Sequence, residues 1–346
     1  MTIVGMVLCA GLGTRLRPLT SRLPKPAAPV CGLPLLRYTF ALLAGAGARR
    51  AVVNVHHLAE PMADVAAATA RAAGLELAIS REPLIAGTGG ALREARSALR
   101  GADAIVLVNG DILFDVDLAA ALAAHRASGA LATMVLMPMP PGASYASVEL
   151  DAAGAVRRIA GRFGPGGEAL TPWHFTGVHV LTPALLTRVP ADPFEVDVNR
   201  HVYPPLMAEG LVRGHVVSGY WNDLGTPGRY LAANLDVLTR RMPLGRLHGI
   251  DPFAGLDLFG HPNVWMSPAA HVHPGAVLHA PVLVAAGARL EAGATAGPFA
   301  IVGGGVRLGP GARVAHAVLW EGTALRPGEE VIRAIAAGED RVAAGP

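Results

Sequence analysis

From Ile3 to about residue 237, short runs of aliphatic and β-branched residues alternate with longer Ala- and Leu-rich stretches of helical period. That alternation predicts an α/β fold, a mostly parallel sheet flanked by helices in a Rossmann-like arrangement. Expected strands are Ile3 to Cys9, Ala51 to Val55, Glu76 to Ser80, Ala104 to Val108, Leu131 to Met137, Phe175 to Leu181 and Val212 to Ser218. Between them, helices are expected over Leu35 to Ala46, Pro61 to Ala73, Gly90 to Leu99 and Leu118 to Ala127.

Both periods stop near residue 240, where Pro243, Gly245, Gly249, Pro252, Gly255, Gly260 and Pro262 mark a connector. An apolar or small residue then recurs every six positions: Val272, Leu278, Val284, Leu290, Ala296, Val302, Leu308, Val314 and Trp320. A second series runs beside it through Ala276, Val282, Ala288, Ala294, Ala300, Val306, Ala312, Val318 and Ala324, with turn glycines at 275, 287, 293, 305 and 311. A hexapeptide period held in phase this long predicts short strands stacked as a left-handed parallel β-helix. The expected plan is a catalytic domain over 1–240, a connector over 241–264, the β-helix over 265–330 and a tail over 331–346. Val331 to Ala337 is read as a short capping helix.

At 346 residues the chain is long enough for two domains. Its 52% hydrophobic content is spread out rather than gathered into an apolar stretch of about 18 residues. No membrane segment is expected. The apolar run Thr2 to Ala10 lacks the basic flank of a secretory signal, so a cytoplasmic address is expected. Cys9 and Cys31 are too few for a disulfide framework and read as reduced thiols. A net charge of +3 with scattered Arg residues and no aromatic-interleaved basic patch argues against a nucleic-acid partner.

Candidate chemistry concentrates after the first strand, in LCAGLGTRLRPLTSRLPKPAAPVCGLP, residues 8–34. Gly11 and Gly13 let backbone amides approach phosphate oxygens closely, and Arg15 and Lys25 add two cations. The run is neither a Walker A loop nor a GxGxxG fingerprint. Asp111 follows the fourth strand in AIVLVNGD, at a strand C-terminal end, where open α/β sheets bind ligands. Asp223 ends another apolar run, in GYWNDLGTPGRYLAANLDVL. Mg²⁺ takes one or two carboxylates, with phosphate oxygens and water completing its shell. Two separated Asp residues suffice if the fold brings them together, although each alone reads equally well as a turn or cap residue.

Taken whole, GxGTRLRPLT followed by PKP resembles the phosphate loop of the sugar-phosphate nucleotidylyltransferases, the family that makes GDP-mannose, dTDP-glucose, ADP-glucose and UDP-sugars. The resemblance implies a nucleotidyltransferase domain joining a nucleoside triphosphate to a sugar 1-phosphate. In it, Leu8, Ala10, Gly11, Gly13, Thr14 and Arg15 would surround the triphosphate and Lys25 would lie near the α-phosphate. It also implies metal-binding roles for Asp111, in the GD motif beside Gly110, and for Asp223, in a W-x-D-x-G-T segment. EPLIAGTGGA resembles the family's second nucleotide-contacting loop, which points to Glu82, Gly87, Thr88 and Gly89. HFTGVHVL resembles the strand lining the sugar pocket, which implies sugar-phosphate-binding roles for Thr176 and Gly177, together with Gly110.

Two positions depart from the family pattern. GAVRRIAGRF offers Gly161, Arg162 and Phe163 where Glu-Lys-Pro is common, leaving Arg162 to hold the sugar phosphate. Ala146 stands where Tyr-Gly is usual. The expected activity is that of a mannose-1-phosphate guanylyltransferase, with a uridylyl- or thymidylyltransferase as the alternative and homo-oligomers formed through the β-helix. Rival readings are a non-catalytic nucleotide-sugar-binding subunit and a bifunctional enzyme whose β-helix transfers acyl groups. His56, His57, Asp115 and Asp117 read as loop and cap residues. His271, His273 and His279 fall on separate hexads and read as structural.

Overall fold

In the computed structural model the expected strands form, with ends shifted by a few residues: Ile3–Leu8, Arg50–Val55, Glu76–Arg81 and Ala104–Asn109 lie parallel and adjacent. The structure describes residues 1–140, 142 and 145–345. Among these, Glu76–Arg81 and the hairpin Ser147–Leu150 with Val156–Ile159 stand at the two edges of a nine-stranded sheet. Thr171–Leu181 runs antiparallel between Ala104–Asn109 and Ala132–Met137, which pairs in parallel with Val212–Val216. The helices are α1 (Leu35–Gly45), α2 (Ala59–Ala73), α3 (Gly87–Glu94), α4 (Leu118–Ser128), α5 (Tyr203–Ala208) and α6 (Pro227–Leu238).

The chain divides into two compact units, one comprising Met1–Gly11, Leu36–Trp221 and Arg246–His248, the other Leu12–Leu35, Asn222–Gly245 and Gly249 onward. The first unit's core includes Val4, Met6, Val52, Ile105, Leu107, Met134, Leu136, Tyr203 and Leu206, all fully or almost fully buried. Parallel strands covered on both faces explain why these runs are continuously apolar rather than alternating.

In the second unit the hexad period becomes three stacks of short parallel strands, an arrangement compatible with a β-helix. Val264 pairs with Val282 and Val282 with Ala300, a step of eighteen residues, or three hexads. His271, Arg289 and Arg307 repeat the step in a second stack, and Val277, Thr295 and Arg313 in a third. Val284, Leu290, Ala296, Val302, Leu308 and Val314 fill the interior together with Val282, Ala288, Ala294, Ala300, Val306 and Ala312.

After Ala312 the period slips by one. Ala300 pairs with Ala317, and the interior cluster continues through Ala317, Leu319 and Leu325 rather than the expected Val318, Trp320 and Ala324, although Val318 is itself buried. The step shortens where the continuous strand Arg313–Leu319 passes through His316 in the left-handed region, at φ 47°.

One helix expectation fails and another is shifted. The tail is not a capping helix: Glu330–Ala337 is a strand, parallel to Arg313–Leu319 and antiparallel to Asp340–Ala343. Val331, Ile332 and Ile335 favour that pleated, half-buried setting. The helix expected over Gly90 to Leu99 instead starts at Gly87 and ends at Glu94, because Gly89 and Gly90 donate to the Val196 carbonyl and fix its start. Among the described residues, no helix is long and apolar enough to cross a membrane.

Candidate functional site

In the first unit, the ends of the parallel strands converge through backbone contacts that only glycine permits. Gly110 donates its N–H to the Leu8 carbonyl at 3.0 Å, and a Cβ at Gly110 would lie 2.5 Å from that oxygen. The turn places Asp111 at the ends of two adjacent strands, beside the buried residues Cys9 and Ala10. Burial, and secondarily the Asp111 charge, pushes the Cys9 thiol up, so Cys9 is an inert thiol here. A Cβ at Gly11 would meet no described atom within 4 Å, leaving the space above that loop backbone open.

The second loop is braced from beneath. Glu82 is buried, with Oε1 accepting from Asn54 Nδ2 at 2.8 Å and Oε2 from the Ala86 N–H at 3.1 Å. Asn54 Oδ1 in turn accepts from the Cys9 N–H at 2.8 Å, and the His56 ring meets the Glu82 carbonyl at 2.9 Å. Thr88 Oγ1 accepts from the Val198 N–H at 2.8 Å and donates to Asp197 at 3.4 Å. Gly87 and Gly89 are tight against Val196, where a Cβ would come within 2.6 Å and 2.7 Å. Glu82 and Thr88 therefore shape the loop, and their polar atoms are engaged with the protein.

The strand expected to line the sugar pocket breaks its register between Phe175 and Val178, a bulge that holds Thr176 and Gly177. Gly177 has φ 83°, and a Cβ there would lie 2.9 Å from Asn109. The Thr176 hydroxyl donates to the Val135 carbonyl at 2.8 Å, while its own carbonyl accepts from Trp221 Nε1 at 2.7 Å. Trp221 belongs to an aromatic group with Tyr145 and His174, at ring separations of 5.5 Å and 4.2 Å. Ala146, next to Tyr145, is exposed, and so is Arg162, in the turn closed by Ile159 and Phe163.

Asp117 caps α4 as expected, accepting from the Ala120 N–H. Asp115 is no cap. It lies fully buried in the strand Ile112–Val116 with Oδ2 3.2 Å from Arg246 Nη1. Burial raises its pKa more than the guanidinium lowers it.

The second unit brings together three charged groups. Thr14–Leu16, in the loop expected to hold phosphate, forms one 3₁₀ turn, with Gly13 at φ 60° and its carbonyl accepting from the Thr20 hydroxyl at 2.8 Å. A Cβ at Gly225 would sit 3.0 Å from both Arg15 Nη1 and Asp223 Oδ2, so the bare glycine leaves room for both side chains. Both Asp223 oxygens accept from Arg229 Nη1, at 2.7 Å and 2.8 Å. Lys25 opens the 3₁₀ turn Lys25–Ala27 and is only 6% exposed.

Sequence reasoning missed Arg229, Asn54 and α6. The signal for α6 was present in Thr226-Pro227, a side-chain cap followed by proline at the first helical position. Among the described residues, no cluster of three or more His, Cys, Asp or Glu forms a ready-made metal cage. Mg²⁺ does not need such a cage, since it accepts one or two carboxylates and completes its shell with phosphate oxygens and water.

A family model described as nucleotidyl transferase matches residues 4–240. The chain belongs to the nucleotidyl transferase family. It is 30% identical over 246 residues to the mannose-1-phosphate guanylyltransferase of Mycobacterium tuberculosis (strain ATCC 25618 / H37Rv), covering 70% of this chain and 67% of that one. To the UTP–glucose-1-phosphate uridylyltransferase of Synechocystis sp. it is 30% identical over 264 residues, 72% and 67% of the two chains. To the mannose-1-phosphate guanylyltransferase catalytic subunit beta of Drosophila pseudoobscura pseudoobscura it is 27% identical over 227 residues, 65% and 60%.

Proposed function

We propose that this chain joins mannose 1-phosphate to GTP, releasing pyrophosphate and leaving GDP-mannose, in the cytoplasm and with Mg²⁺. The class itself, a sugar-1-phosphate nucleotidylyltransferase, follows from family membership over residues 4–240. The observation that carries the chemistry is the Gly110 turn, which sets Asp111 at the ends of two parallel strands beside the phosphate loop's first residues. A sugar-phosphate oxygen attacks the α-phosphorus, the α–β bridge bond breaks, and pyrophosphate leaves with the electron pair. The attacking oxygen is already anionic, so the protein's task is positioning and charge neutralisation.

Arg15 and Lys25 supply fixed positive charge, and Asp111 and Asp223 are the proposed Mg²⁺ ligands. Bound metal would neutralise the triphosphate and the developing charge. Thr176 and Gly177 shape the sugar pocket through the bulge, and Arg162 is the proposed partner of the sugar phosphate. Mannose 1-phosphate and GTP lead because the names of the Mycobacterium and Drosophila relatives carry them. A uridylyltransferase acting on glucose 1-phosphate is the second reading, favoured by the Synechocystis relative at the same 30% identity. Exposed Val277 and Ile332, on one strand stack, support assembly of homo-oligomers through a β-helix of left-handed form.

The test is pyrophosphate release across a panel pairing GTP, UTP, dTTP and ATP with mannose, glucose and N-acetylglucosamine 1-phosphates. Preference for GTP with mannose 1-phosphate is expected. Turnover confined to UTP with glucose 1-phosphate would replace that assignment with the second reading.

A further inference from the structure

Arg229, third in α6, donates to both carboxylate oxygens of Asp223. Its Nη1 lies 2.7 Å and 2.8 Å from the two carboxylate oxygens, with 17% of the Asp223 side chain and 43% of the Arg229 side chain exposed. The start of the helix fixes the arginine: Pro227 sits in the first turn, and the Thr226 hydroxyl accepts from the Arg229 N–H at 3.3 Å. Arg15 Nη1 and Asp223 Oδ2 also each lie 3.0 Å from where a Cβ at Gly225 would sit. A carboxylate with both oxygens already accepting from a guanidinium is largely neutralised.

We propose that Arg229 is the resident counter-cation of Asp223, which a divalent ion has to displace. Free Mg²⁺ therefore binds the nucleotide-free enzyme weakly and enters with the triphosphate. This rests on the reading of Asp223 as a metal ligand. To reach Asp223 a bare ion must break a charge-assisted contact and leave the guanidinium without a partner. A metal–triphosphate complex offsets that loss in two ways. Its phosphate oxygens complete the octahedral shell, and the same anion gives the released guanidinium, with Arg15 beside it, a new partner of matching geometry. Arg229 is in this sense a positioning residue, acting on the metal through Asp223.

Mn²⁺ binding followed by loss of its aqueous electron paramagnetic resonance signal tests this without turnover. The proteins are wild type, Arg229→Gln, Arg229→Met, Arg229→Lys and Asp223→Asn, each first checked by circular dichroism, with and without GTP or UTP. Nucleotide-free Arg229→Gln is expected to bind Mn²⁺ about tenfold more tightly than wild type, the scale of one charge-assisted contact. Arg229→Met, which keeps the side-chain stem, has the same expectation should the Gln variant fold poorly. Arg229→Lys, which keeps the charge, is expected to stay within about threefold of wild type. If both neutral variants match wild type while Asp223→Asn weakens Mn²⁺–nucleotide binding, displacement is wrong and Asp223 stands as a metal ligand. If Asp223→Asn binds Mn²⁺–nucleotide as tightly as wild type, the metal assignment falls and the displacement with it.

Discussion

Asn54 Nδ2 donates to Glu82 Oε1 at 2.8 Å, tying together the ends of two neighbouring parallel strands, and Asn54 Oδ1 ties in a third by accepting from the Cys9 N–H. Both Glu82 oxygens face donors, since Ala86 N–H takes the other. Glutamine at this position would turn an amide group toward one of them. Glu82→Gln is therefore expected to cost about 1–3 kcal/mol, the penalty for leaving buried donors unmatched. The measurement is the urea midpoint at constant slope, and an unchanged midpoint would contradict the brace.

Gly110→Ala would press a Cβ to 2.5 Å from the Leu8 carbonyl oxygen and 2.9 Å from Cys9 Sγ. The nearest neighbour is backbone, so the strain has no flexible side chain to relieve it. A loss of about 2 kcal/mol or more is expected, with a fall in turnover because Asp111 follows directly. Gly245→Ala is the control: its Cβ meets nothing within 4 Å and its φ is not in the left-handed region. Thermal denaturation of the two variants should separate them clearly.

Thr176→Val keeps the shape of a buried side chain and deletes its hydrogen bond to the Val135 carbonyl. Stability is expected to fall by about 1 kcal/mol. The KM for the sugar 1-phosphate should stay near the wild-type value, because the hydroxyl is spent on the bulge. A tenfold rise in KM at unchanged stability would instead make that hydroxyl a substrate contact.

Two buried histidines contribute to the acid limb of stability. Desolvation lowers the pKa of His125 to about 4 and that of His179 to about 3. His125 lies between the Thr133 and Thr182 hydroxyls at 2.9 Å and 3.1 Å, and the Tyr203 hydroxyl meets the His179 ring at 2.8 Å. Unfolded histidine titrates near pH 6.5, so below that pH the unfolded chain binds protons that the folded chain refuses. The stability these groups provide is full above about pH 6.5 and is lost as pH falls toward 4 and then 3. Each contributes a slope of up to about 1.4 kcal/mol per pH unit in its window. Denaturant titrations between pH 7 and pH 4 check this. His125→Gln is expected to lower the slope by one proton, and an unchanged slope would contradict the assignment.

Much of the first unit was legible because strands buried on both faces are continuously apolar, so Val4, Val52 and Ile105 announce themselves regardless of register. The hexad period was legible for the same reason of repetition, up to Ala312. Beyond that, the turn is one residue shorter, with two residues between Val314 and Ala317 where three separate Ala296 from Ala300, and no local composition marks the change. Motifs singled out the candidate site residues, but the hydrogen bonds those residues make were not legible. Glu82 and Thr88 look alike in sequence whether they face a base or, as here, Asn54, Ala86, Val198 and Asp197. Arg229 escaped notice because its partner, six residues earlier, is reached only once Thr226 and Pro227 start a helix.

The most direct test of the central claim is the paired release of pyrophosphate and nucleotide sugar from GTP and mannose 1-phosphate with Mg²⁺, for wild type and Asp111→Asn side by side. Wild type is expected to release one pyrophosphate per nucleotide sugar, and the variant to be slower by about 100-fold or more at an unchanged melting temperature. Near-normal release by Asp111→Asn, or pyrophosphate formed without nucleotide sugar, would contradict it.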